Sequence, residues 1–178
     1  MGAKGKRVSE SAVSDSPYAL FSGDLNFNKT AFGGRVLEMA DRLAGTVARR
    51  HSGETCVTLF LDSVKFHAPA HEGEELVFKA SVNRVWHTSM EVGVKIVVRD
   101  YPTGVERNIA SMYFTFVAVD KCNKPMAIIP VIPQSKEEAR RYAEADERRV
   151  ERLKKKDKPA ASVATNENLA EALLQFGC

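Results

Sequence analysis

Phe32-Gly33-Gly34-Arg35-Val36-Leu37-Glu38-Met39-Ala40-Asp41-Arg42-Leu43-Ala44-Gly45-Thr46-Val47-Ala48-Arg49-Arg50 is the stretch whose periodicity sets the architecture. From Gly34 onward Val36, Leu37, Met39, Ala40, Leu43, Ala44, Val47 and Ala48 recur at three- and four-residue intervals, opposite Arg35, Glu38, Arg42, Thr46 and Arg49. That spacing predicts an amphipathic helix about five turns long. Downstream, β-branched and aromatic residues gather in four runs, Thr55 to Phe66, Glu75 to Trp86, Ser89 to Val98 and Asn108 to Val119. Leu76, Phe78, Ala80 and Val82 alternate with Val77, Lys79, Ser81 and Asn83, and Met90, Val92, Val94 and Ile96 alternate likewise, so each strand has one buried face. The run Ile109 to Val119 is apolar on both faces and reads as central. The connections Ala68-Pro69 to Glu72-Gly73 and Pro102-Thr103-Gly104 are too short for crossover helices, so much of the sheet is antiparallel. The class is α+β, a single domain with an antiparallel sheet wrapped around one long helix.

The whole chain of 178 residues, 44% of them hydrophobic, suffices for one domain. Residues 1–16, rich in Gly, Ser and Lys, read as a flexible N-terminal arm, with order beginning near Tyr18 and the domain spanning 17–133. Pro130 and Pro133 end the sheet, and Ser135-Lys136-Glu137-Glu138 offers a capping box for an extra charged C-terminal helix over 134–158. Its apolar stripe of Ala139, Tyr142, Ala143, Val150 and Leu153 is thin, which favours a solvated helix resting lightly on the domain or a partner subunit. Residues 159–178 read as a flexible tail carrying a short apolar patch, Leu169 to Phe176.

Charge and cysteine usage exclude several classes. The net charge is only +3, with much of the basic excess near the ends, so no nucleic-acid footprint is expected. Cys56, Cys122 and Cys178 are odd in number, widely spaced and form no CxxC, against a disulfide framework or a cysteine-rich metal site. No run approaches the ~20 apolar residues of a membrane span, and the first residues lack the apolar core of a secretory signal. A cytoplasmic location is the expectation.

The chemistry centres on Asp41, which projects to the border of the helix's apolar face, flanked by Leu37, Gly45 and Ala48. A carboxylate with reduced hydration suits a general base or nucleophile. The competing reading is an exposed Asp paired with Arg35 or Arg42. Gly33 and Gly34 open the helix entrance so that a ligand reaches backbone N–H groups at the positive end of the helix dipole, where an oxyanion would be stabilised. Their alternative is a tight turn. Asn26 offers an amide to orient a water or a carbonyl, or serves merely as a turn former.

Asp24-Leu25-Asn26, Phe32-Gly33-Gly34 and Asp41, seven residues beyond Gly34, form a pattern that continues downstream. Phe66 with Pro69 and Gly73, Asn83-Arg84-Val85, Thr88-Ser89-Met90-Glu91-Val92 and Phe114-Thr115-Phe116-Val117-Ala118-Val119 follow in order. Together these motifs, over roughly residues 18–132, resemble the hotdog-fold acyl-CoA thioesterases, the family of bacterial and brain-type acyl-CoA hydrolases. The resemblance implies a hotdog domain that hydrolyses fatty acyl-CoA to free fatty acid and CoA without metal or organic cofactor. It implies homodimers pairing their sheets edge to edge, three such dimers forming a hexamer, and sites at the dimer interface. By position, Asn26 of one protomer would orient the water or thioester carbonyl, Asp41 of the other would act as base or nucleophile, and Gly33 and Gly34 would supply the oxyanion contact. Thr88, Ser89 and Phe66 would contact substrate. The family often has a glycine between the Asn and the helix, where this chain has Lys29.

Other chemistries fit less well. His67 and His71 are four apart, but Pro69 between them breaks a shared helical face, and neither an HExxH nor a GxSxG is present. A hotdog hydratase needs a His at the helix entrance, where none of His51, His67, His71 or His87 is expected. The rival from a different class is a non-catalytic acyl-CoA-binding hotdog sensor that signals through the C-terminal helix or tail. Keeping both Asn26 and Asp41 disfavours it, since a pure binder needs neither.

Overall fold

A computed structural model describes residues 5–156. In chain order the elements are β1 (Lys6–Arg7), β2 (Val13–Ala19), α1 (Gly33–Ser52), β3 (Thr55–Phe66), β4 (Glu75–Val85), β5 (Ser89–Arg99), β6 (Glu106–Val119), β7 (Val131–Ile132) and α2 (Lys136–Lys156). Five strands form one antiparallel sheet in the order β2-β4-β5-β6-β3, and β1 pairs with β7 in a separate parallel ribbon.

The helix forms where its periodicity places it. Val36, Ala40, Ala44, Val47 and Ala48 are buried on the sheet's inner face, against a core that includes Phe78, Met90, Val92, Ile96, Met112, Phe114 and Phe116. Alanines along this stripe let the helix axis lie close to the strands. α1 stops at Gly53, whose φ of 78° is left-handed and whose N–H bonds back to the Arg49 carbonyl at 2.8 Å, a glycine C-cap. The chain then reverses into β3, which lies at the sheet edge beside the helix.

Two expectations fail. The arm expected over residues 1–16 is structured throughout its described part: Val8 and Ser11 are buried, and β2 pairs with the β4 edge, Pro17 opposite Val77. Its side chains give little sign of this, because the strand is held by backbone bonds and tolerates Ser, Asp and Pro at an edge. The second concerns α2. It starts as expected, with the Glu138 N–H donating to Ser135 Oγ at 3.2 Å and the Ser135 N–H to the Glu138 carboxylate at 3.1 Å. It is not, however, a lightly resting solvated helix.

It lies across the sheet's outer face, and polar side chains hold it there. Arg148 makes a two-pronged contact with the fully buried Glu91 at 2.7 and 3.0 Å and stacks over Tyr113 at 3.8 Å. Arg149 sits 4.4 Å over Trp86, Arg84 of β4 sits 4.1 Å over Tyr142, and Trp86 Nε1 donates to Asp146 at 3.1 Å. Burial disfavours the charged Arg148, but bonding to Glu91 outweighs it, so its pKa is raised. A hydropathy stripe misses such docking because guanidinium on aromatic and buried carboxylate counts as polar. The expected tail, residues 159–178, lies outside the described residues, as does the end of the expected 134–158 helix. Among the described residues no helix is long and apolar enough to cross a membrane.

Candidate active site

The loop before α1 is anchored at both ends. Asp24, which the sequence reading used only as the start of a motif, is buried. It accepts hydrogen bonds from Tyr18 Oη (3.0 and 3.1 Å), the Phe21 N–H (3.1 Å) and Arg35 Nε (3.3 Å). Burial alone would raise its pKa, but these donors outweigh that and lower it. Its carbonyl receives the Phe32 N–H at 2.8 Å, and the Ala31 N–H donates to the Ala70 carbonyl at 2.8 Å.

Asn26 sits inside this loop. Its Oδ1 accepts from the Asn28 N–H at 2.9 Å and the Thr30 N–H at 3.3 Å, and its Nδ2 donates to Thr30 Oγ1 at 3.0 Å. Within one chain the amide therefore organises its own turn. Lys29 adopts φ 57°, the left-handed region that favours glycine. The Lys at the place where a glycine is common takes the backbone conformation a glycine would take.

α1 begins with Phe32 as N-cap and no side-chain cap, so the N–H groups of Gly33 and Gly34 have no partner inside the helix. Both glycines are covered by aromatic rings. A Cβ on Gly33 would come 3.2 Å from the Phe66 ring, and one on Gly34 would come 2.8 Å from the Phe32 ring. The rings themselves are half exposed, Phe32 at 55% and Phe66 at 51%. A cleft of about 430 Å³ opens here, lined by Thr30, Gly33, Val36, Phe66, His67 and Ile109 among others. His67, expected away from the helix entrance, thus reaches it, because the end of β3 folds back over the start of α1. Its Nε2 lies 3.2 Å from Ser111 Oγ.

Asp41 is half-buried, two turns along α1, and accepts a hydrogen bond from Thr58 Oγ1 at 2.8 Å. Sequence reasoning missed Thr58, since a threonine in a strand is an ordinary β-former and carries no signal. The pairing of Asp41 with a neighbouring arginine does not occur. Arg42 bonds Glu38 at 2.7 Å, and Arg35 bonds Glu38 at 2.9 Å and Asp24.

The structure brings Gly33, Gly34, Phe66, Asp41 and Thr58 to one face of α1 and β3. It does not join Asn26 to Asp41: among the described residues no hydrogen bond connects them. Seven residues of helix separate Gly34 from Asp41, a rise of about 10 Å. Ser89 is on the opposite face of the sheet, where its hydroxyl receives Arg149 of α2 at 3.3 Å, and Thr88, beside it in the β4–β5 turn, accepts the Ala118 N–H at its carbonyl. His51 is a core residue between Ser11 Oγ and the Ile129 carbonyl. Among the described residues no group of three or more His, Cys, Asp or Glu is placed to hold a metal ion.

The family model of the thioesterase superfamily matches residues 28–104. The chain is 36% identical over 132 residues to the protein VdlD of Helicobacter pylori, 74% of this chain and 75% of that protein, and 34% identical over 137 residues to the uncharacterized acyl-CoA thioester hydrolase YkhA of Bacillus subtilis, 77% of this chain and 80% of that protein. This chain belongs to the hotdog acyl-CoA thioesterases. Among solved members, a hexameric acyl-CoA thioesterase is 32% identical with a TM-score of 0.82, covering 86% of this chain and 99% of its own. The acyl-CoA hydrolase of Staphylococcus aureus, solved with butyryl-CoA, CoA and CoA disulfide, is 31% identical with a TM-score of 0.80, covering 96% of this chain and 97% of its own. That hydrolase has also been solved with a single aspartate, asparagine or threonine replaced by alanine.

Proposed function

We propose that this thioesterase hydrolyses fatty acyl-CoA to free fatty acid and CoA, with Asp41 as general base or nucleophile and Asn26 and the Gly33 and Gly34 N–H groups orienting and polarising the thioester. The observation that carries the reading is the Asp41–Thr58 hydrogen bond, which aims one carboxylate oxygen on a helix whose entrance offers unpartnered N–H groups. As base, Asp41 takes a proton from water while the oxygen attacks the carbonyl carbon. The C–S bond then breaks and the CoA thiolate leaves, taking up a proton. As nucleophile, Asp41 itself attacks the carbonyl carbon, the CoA thiolate leaves and takes up a proton, forming a mixed anhydride, and water cleaves the anhydride to free fatty acid and the Asp41 carboxylate. In both routes the developing oxyanion needs donors, which the helix N-terminus and Asn26 supply.

The rise of about 10 Å between Gly34 and Asp41 is too long for one carbonyl to touch both in a single protomer. We therefore infer that the donors come from one protomer and Asp41 from its partner, with β3 edges paired in a dimer and three dimers in a hexamer. Phe66 would line the acyl path, and Thr88 and Ser89 would reach substrate only across a contact with another copy. The three residue types replaced in the Staphylococcus aureus enzyme are those of Asp41, Asn26 and Thr58. No metal or organic cofactor enters this chemistry, CoA being part of the substrate, and the scattered cysteines support work in the cytoplasm.

The test is thiol release from acyl-CoAs of increasing chain length. Asp41→Ala and Asn26→Ala are each expected to lower turnover by about a hundredfold or more while the protein stays folded. Near-normal turnover in folded Asp41→Ala would overturn the assignment, and tight acyl-CoA binding without thiol release by the unaltered protein would favour the sensor.

A further inference from the structure

β3 carries Thr58, yet among the described residues it has β6 on one side and no strand on the other. Its register against β6 also shifts twice, between Thr58 and Phe60 and between Leu61 and Ser63. Strict alternation from Thr58 would put Phe60 and Asp62 on the α1 face. With the two shifts Leu61 and Val64 stand opposite Phe114 and Met112, both core residues, while Phe60 and Asp62 turn outward to α2. Bulges of this kind re-aim side chains but interrupt the ladder, so a bulged edge strand needs support from elsewhere.

A single residue of α2 provides it. Arg152 donates to both carboxylate oxygens of Asp62 and, at 3.1 Å, to Thr115 Oγ1, while its guanidinium lies 5.4 Å from the centre of the Phe60 ring. Thr115 in turn donates to Asp62 Oδ2 at 3.1 Å. The knot is shielded, with the Asp62 side chain only 6% exposed and that of Arg152 18%. It grips the strand on both sides of Leu61, a few residues from the hydroxyl that holds Asp41.

We propose that Arg152 and Asp62 are positioning residues for the reaction: by tying the bulged stretch of β3 to α2, they set where Thr58 presents its hydroxyl to Asp41. The inference rests on Asp41 being the reacting carboxylate. It makes the C-terminal helix a brace for the site, although Arg152 and Asp62 themselves bond each other on the face opposite Asp41.

Steady-state kinetics of Arg152→Ala, Asp62→Asn and Arg152→Lys test it, each alone and combined with Thr58→Val. Arg152→Ala and Asp62→Asn are expected to lower kcat about tenfold or more with KM little changed, as a small misplacement of a reacting group does. Arg152→Lys, which keeps the charge, should restore part of that loss. On the Thr58→Val background the Arg152→Ala loss should largely vanish, because the route through Thr58 is already cut. An equal loss in both backgrounds would make α2 a general stabiliser and overturn the proposal, as would unchanged kcat in Arg152→Ala. Hydrogen exchange at the amides of residues 58–63 gives a readout without turnover. Exchange that rises there in Asp62→Asn supports the brace, and unchanged exchange overturns it even if the unaltered protein releases no thiol, a result that would instead sink the acyl-CoA hydrolysis reading.

Discussion

At the residue scale, one hydrogen bond distinguishes the carboxylate proposed to react from an ordinary helical Asp. Asp41 stands at the margin of an apolar face, and sequence alone places it between a reacting group and a surface ion pair. Glu38 takes both Arg35 and Arg42, which leaves Asp41 to Thr58 and removes the ion-pair alternative. Thr58→Val should therefore lower kcat by about tenfold or more, since a hydrogen bond to a charged group is lost without a change in side-chain volume. A kcat within error of the unaltered enzyme, at matched KM and stability, would deny Thr58 that role. Asn26 shows the opposite lesson. Its turn-forming reading holds inside one chain, where its amide bonds to Asn28 and Thr30, and the role proposed for it in the reaction would come on top of that turn.

At the scale of elements, α1 and β3 to β6 were legible because hydrophobic periodicity reports burial on one face. β2 and the docking of α2 were not, because the first is held by backbone bonds and the second by arginines on aromatic rings and buried carboxylates. The N-terminal segment is also locked by His51 near the end of α1, which lies between Ser11 and the Ile129 carbonyl just before β7. Burial lowers the His51 pKa, with Lys6 adding to the shift and the Ile129 bond and Glu10 partly opposing it. A lowered folded value means the unfolded chain binds the proton more readily. Stability is therefore complete above the unfolded value, near about 6.5, and is lost as pH falls from there toward the folded value. Melting temperatures across that window should drop more for the unaltered protein than for His51→Gln. Equal drops would place the acid sensitivity elsewhere.

At the scale of the whole molecule, β3 has an open edge among the described residues. Leu59 at 46%, Phe60 at 46%, Val64 at 37% and Phe66 at 51% exposure flank the site on a strand with an open ladder, an arrangement that invites a second copy. Mixing inactive Asn26→Ala and Asp41→Ala protomers under conditions that exchange subunits should restore part of the activity, since some mixed interfaces keep one intact pair. Verified mixed dimers without any recovery would place both residues of a working site in the same protomer.

The sequence by itself determined the helix, four strands of the sheet, the capping box of α2 and the set of groups from which a site could be built. These follow from local periodicity and from motifs whose spacing survives without knowledge of the fold. Only the tertiary structure decided that residues 5–16 join the domain, that Thr58 rather than an arginine meets Asp41, and that Arg152 reaches back to Asp62. Each of those contacts joins residues distant in the chain through a backbone edge, a hydroxyl or a guanidinium, and none of these leaves a periodic trace in the order of amino acids.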